Sequence, residues 1–103
     1  VTGFKGYNLY SIEVDNAAWV TVYSSVAART ADASRTISTD PTPGSGVITE
    51  IISTGAVTQL ITPAAVGFSS ESPATTSIPL KVENNGVTST TITVTLTLLQ
   101  TEA

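Results

Sequence analysis

The stretch Thr90–Leu99, TTITVTLTLL, decides the fold. Ile92, Val94, Leu96 and Leu98 alternate with Thr91, Thr93, Thr95 and Thr97. Successive side chains of a β-strand point to opposite faces, so this is a strand with an apolar face and a hydroxyl face. Low in charge and rich in β-branched residues, such a strand is adhesive when left unpaired. It is therefore expected either inside a sheet or covered by another subunit.

Just upstream lies IPLKVE, Ile78–Glu83, a second strand with Ile78, Leu80 and Val82 inward. Pro79 has no N–H to give a ladder, which places this strand at an edge or Pro79 at a non-bonded position. Asn84–Gly86 joins the two strands, and Asn-Gly is a strong hairpin signal. A loop of Asn85-Gly86 alone would set Leu80 against Thr91, an apolar row on a hydroxyl row. A shifted register, with Leu80 opposite Ile92 and Ile78 opposite Val94, is expected instead. It needs the odd loop Asn85–Val87, with Gly86 at positive φ.

Further strands are expected at Tyr7–Val14, Ala18–Ser24, Val47–Thr54 and Val57–Thr62, with Ala64–Phe68 as a short continuation. Tyr10, Ile12 and Val14 would share a face that Leu9 interrupts. The brief Asp15-Asn16 link makes an antiparallel hairpin of the first two strands the default. Ser25–Ser38 has no apolar stripe and reads as a long loop with at most one short helical turn. Thr39–Gly46, TDPTPGSG, breaks the chain decisively. The expected fold is all-β: an antiparallel β-sandwich, jelly-roll or Ig-like, of about six to eight short strands. Residues 1–103 make a single domain, expected to be a segment of a longer structural polypeptide.

Charged residues are only 12% of the chain, and the net charge is −4. With Lys5, Arg29, Arg35 and Lys81 as the only cations, no basic patch is available for nucleic acid or an anionic membrane. Neither histidine nor cysteine occurs, which removes Ser-His-Asp and Cys-His catalysis and thiolate metal sites. Glu13, Asp15, Glu50, Glu71 and Glu83 fall on outer strand positions or loops and read as surface carboxylates. Lys81 reads as a solvated outer residue. Glu13, Asp15 and Asn16 offer oxygen ligands for Ca²⁺ but lack EF-hand spacing, so a plain turn is expected. No cofactor, metal or enzyme activity is expected.

The residues singled out are Trp19, Tyr23, Arg29, Asp32 and Arg35. Trp19 and Tyr23 share a strand face opposite Ala18, Val20 and Val22. Either they form an outer aromatic patch suited to a subunit contact, or Trp19 lies in the core and the valines lie outside. Arg29, Asp32 and Arg35 are spaced by three, so on a helical turn Asp32 would pair with both arginines. That cluster is either a clip that orders its own loop or a contact across subunits.

The runs AWVTVYSSVAARTADASRTISTDPTPGSGVITEII, ITPAAVGFSSESP and KVENN…TITVTLTLLQTEA resemble virion structural proteins of tailed bacteriophages, notably those of marine cyanobacteria. Trp19, Arg29, Asp32, Arg35, Asp40-Pro41 and Gly67-Phe68 carry the resemblance, which covers the chain from about Asp15 onward. It implies an oligomeric structural role in tail, collar, fibre or capsid decoration, located in the virion. The implied partners are copies of itself and other virion proteins. The competing expectation is an adhesin or glycan-binding module that stacks a host-surface sugar on exposed aromatics, with or without Ca²⁺.

Overall fold

The computed structural model describes residues 1–103 and contains six strands and one short helix. They are β1 (Gly6–Val14), β2 (Ala18–Tyr23), α1 (Val26–Ala31), β3 (Val47–Ile52), β4 (Val57–Phe68), β5 (Leu80–Asn84) and β6 (Val94–Glu102). The strands form two three-stranded antiparallel sheets, ordered β4-β1-β6 and β3-β2-β5. The expected all-β sandwich is therefore the observed fold.

The core lies between the sheets. Tyr7, Leu9, Ile12 and Val14 of β1 face Ala18, Val20 and Val22 of β2, with Ile51 and Ile78 closing the cluster. Both central strands are thus apolar on the facing side, as aligned sheets require. In β1 the inward positions are Leu9 and Ile12, which are three apart. Between Leu9 and Ser11 a β-bulge makes Tyr10 an extra residue against β6, while on the other side β4 carries the surplus, four residues between Leu60 and Ala65. The extra residue returns Ile12 and Val14 to the core and leaves Tyr10 exposed. The break in alternation at Leu9 is this bulge, so Tyr10 does not share the core face with Ile12 and Val14.

Neither expected hairpin forms. The β1–β2 link crosses from one sheet to the other, so β1 pairs with β4 and β6 while β2 pairs with β3 and β5. A hairpin would set the apolar faces of β1 and β2 side by side; the crossing sets them against each other and buries both. Asp15 and Asn16 hold the corner: Asp15 Oδ1 accepts from the Thr93 N–H (2.8 Å), and Asn16 Nδ2 donates to the Thr91 carbonyl (3.2 Å).

The β5–β6 connection also changes sheets, which overturns the shifted hairpin register. Ile78 and Leu98 both close on Gly3, where an added Cβ would overlap Ile78 Cδ1 at 2.5 Å and lie 3.4 Å from Leu98 Cδ1. Gly86 does not take positive φ. Its N–H donates to Asn84 Oδ1 at 2.7 Å, so the Asn-rich stretch builds a side-chain-closed turn. The threonine strand runs later than its pattern, to Glu102, and sits at a sheet edge with its threonines exposed. β5 is an edge strand too, as Pro79 allows; the Pro79 carbonyl accepts from the Tyr23 N–H at 3.0 Å.

Candidate functional site

The outer face of the β3-β2-β5 sheet holds the densest constellation of chemistry-bearing side chains. β2 is buried at every position. Its inward residues meet the core, while Trp19, Thr21 and Tyr23 point outward beneath the segment that follows the strand. Strand register brings Glu50 of β3 and Lys81 of β5 to either side of Thr21. Trp19 and Tyr23 are each only 1% exposed. The expected exposed aromatic patch is absent, and the valines are in the core rather than outside. Both faces of the strand are covered, by different means.

Local sequence explains how the cover is placed. Ser25 caps α1, its Oγ accepting from the Ala28 N–H at 3.0 Å. The Asp32 N–H donates to the Ala28 carbonyl (3.1 Å), and the Arg35 N–H to the Asp32 carbonyl (3.1 Å), which brings both side chains over the sheet. Gly46, at φ +87°, brings the chain back against α1. A Cβ there would lie 2.6 Å from the Ala28 Cβ.

Arg35 is the centre of the arrangement. Its Nε donates to Asp32 Oδ1 at 2.8 Å and its Nη2 to Glu50 Oε2 at 2.8 Å. Nη1 reaches the Thr39 carbonyl at 2.9 Å. Glu50 Oε2 also accepts from the Trp19 indole N–H (2.9 Å) and from Thr21 Oγ1 (3.4 Å). Tyr23 Oη donates to Asp32 Oδ2 at 2.5 Å. Lys81 Nζ donates to the Asp32 carbonyl at 3.0 Å and lies 3.7 Å from Asp32 Oδ2. The Trp19 ring receives both cations, with Lys81 Nζ 4.3 Å and Arg35 Cζ 5.1 Å from its centroid.

These contacts fix the charge states. The hydrogen bond from Arg35 is the main cause holding the Asp32 carboxyl below its usual range, with Tyr23 and Lys81 adding to it. Burial pushes Glu50 upward, but the hydrogen bonds from Arg35 and Trp19 outweigh it and hold the carboxyl low. Burial, then the hydrogen bond to Asp32, pushes the Tyr23 hydroxyl up to about 12. Every polar group aimed into the cluster has a partner. Chemically it is a clamp, which pins residues 32–39 onto the sheet.

Of the five residues singled out from the sequence, Trp19, Tyr23, Asp32 and Arg35 converge here. Arg29 does not: it lies on α1 without an ion-pair partner, and Asp32 pairs with Arg35 and Lys81 instead. Glu50 and Lys81, read from the sequence as surface residues, are full members. The signal for them is cross-strand: opposite charges at outward positions of the strands flanking Trp19. It becomes visible only when β3 and β5 are known to flank β2.

The opposite outer face, on the β4-β1-β6 sheet, is differently made. Register aligns Val66, Asn8 and Leu99 in one row and Leu60, Ser11 and Thr97 in another, with Phe68 beside Gly6. Val66 is 71% exposed, Leu60 68%, Phe68 and Leu99 52% each, and the bulged Tyr10 42%. Thr58, Thr95 and Thr97 complete this surface. In comparisons with protein-family models, curated proteins and solved structures, nothing matches this chain.

Proposed function

We propose that the chain is a structural domain of a tailed-bacteriophage virion that self-associates and docks onto other particle proteins. The observation that carries this reading is the outer face of the β4-β1-β6 sheet. Leu60, Val66, Phe68, Leu99 and Tyr10 stand exposed together there, among threonines. Contiguous apolar surface on a small domain marks an interaction site, and hydroxyls cost less to bury than charges. The phage setting is carried over from the resemblance read in the sequence, and the comparisons add nothing to it.

Docking by this face moves the expected contact away from Trp19 and Tyr23, whose outward sides are occupied by the chain's own loop. The same burial removes the Trp19 platform on which a glycan-binding reading rests. Purified particles of a phage encoding this chain test the proposal. Reconstruction is expected to show the domain in regular copies, with Val66 and Phe68 covered by a neighbour. Particles that lack the chain, or carry it with that face bare, contradict it.

A further inference from the structure

The β5 edge is built to pair with itself. Tyr23 N–H donates to the Pro79 carbonyl and Asn85 N–H to the Ala17 carbonyl, at 3.0 and 3.1 Å. In an antiparallel ladder bonded and non-bonded pairs alternate, so Lys81 and Glu83 aim their backbone groups at β2. Leu80 and Val82 aim theirs outward. Ile78 shows the same parity, exchanging both backbone bonds with Val1 on the outer side. Beyond that short bridge nothing pairs with β5 on its outer side.

This side of the sandwich is also unsealed. β6, the free edge of the other sheet, lies along the same side, away from the adjoining β3 and β4. Leu80, Ile92, Val94, Leu96 and Leu98 pack against the core yet are only partly buried, and Val82 is 40% exposed. The edge lacks two of the usual protections, proline and an outward lysine. Neither β5 nor β6 contains a proline, and the one lysine, Lys81, is turned onto Trp19 and Asp32.

We propose that a second copy of this chain adds to the β5 edge about a two-fold axis through Val82. The sequence around that axis, Lys81-Val82-Glu83, is self-complementary. Antiparallel pairing centred on Val82 sets each Glu83 opposite the partner's Lys81, an ammonium that also holds Asp32 and the Trp19 ring in its own chain. Glu83 has no ion-pair partner within its own chain. The contact is isologous, so each chain gains both charge pairs and the outward bonds of Val82. The inference rests on the self-association in the proposed function and names one surface for it.

Cysteine is absent, so Val82→Cys introduces a single reporter. Bonded antiparallel pairs hold their Cα atoms about 5.5 Å apart, within disulfide reach. Under mild oxidation V82C is expected to form a covalent dimer, whereas Thr30→Cys on exposed α1 does not. Glu83→Lys, which faces the partner's Lys81 with a like charge, is expected to weaken dimerisation at least tenfold in sedimentation equilibrium. A wild-type chain that is multimeric, with V82C uncross-linked and E83K unaffected, overturns the β5 edge and leaves self-association standing. A monomeric wild-type chain overturns both. Cross-linking of the V82C variant to a different polypeptide in particles overturns the second copy as occupant.

Discussion

Arg35 decides whether the outer face of the β3-β2-β5 sheet stays closed. Its side chain is 7% exposed and bridges Asp32 and Glu50, which are 9% and 22% exposed. Removing one member of a buried ion pair costs about 3–5 kcal/mol. Because Glu50 keeps some contact with water, Arg35→Ala is expected to cost about 2 kcal/mol in chemical denaturation, below that range. The same substitution is expected to red-shift Trp19 emission as the loop lifts. An unchanged midpoint and spectrum would mean that the clamp is ornamental.

The pH dependence follows from the same residues. Asp32 and Glu50 are both held below their usual carboxylate range when folded. A lowered folded pKa contributes stability that is complete above the unfolded value and is lost as pH falls through the folded one. Stability is therefore expected to fall on acidification below about pH 4. In Asp32→Asn that acid limb should flatten in thermal melts taken across the range; an identical slope would show that the clamp does not set it. Tyr7 makes the contrasting case. Its hydroxyl is buried without a hydrogen-bond partner, and burial pushes it up to about 12. An unpaired buried hydroxyl costs about 1–3 kcal/mol, so Tyr7→Phe is expected to hold or raise the melting temperature.

At the scale of elements, Gly67 fixes how β4 meets β1. A Cβ built there would lie within the Tyr7 ring's own volume, and that ring is buried in the core. Overpacking of this kind costs about 1–3 kcal/mol, so Gly67→Ala should lower the denaturation midpoint accordingly. The strands themselves were legible from alternation: Val20 and Val22 against Trp19 and Thr21, and Leu96 and Leu98 against Thr95 and Thr97. Their partners were not. Alternation reports which side chains share a face, but it carries no record of which strand lies alongside. Short links and an Asn-Gly pair favour hairpins locally; the need to bury two apolar faces against each other overrides them in both places. The clamp was half legible for the same reason. Trp19, Tyr23, Asp32 and Arg35 lie within one continuous stretch, whereas Glu50 and Lys81 join only through sheet pairing.

At the scale of the molecule, the two outer sheet faces differ in what covers them. Four of the twelve charged side chains, Asp32, Arg35, Glu50 and Lys81, are gathered over the β3-β2-β5 sheet, where they neutralise one another. The β4-β1-β6 sheet presents mainly apolar and hydroxyl side chains outward, with Asn8 and Glu13 among them, and the β5 and β6 edges are left open. A clamp that holds its own loop in place frees the remaining surfaces for neighbours. Under the proposed function these open surfaces meet neighbouring copies, which makes self-association the central claim. Sedimentation equilibrium of the wild-type chain, diluted through the micromolar range, tests it most directly. Multimers of the 10.6 kDa chain that persist on dilution are the expected result. A single monomeric species at every concentration would contradict it.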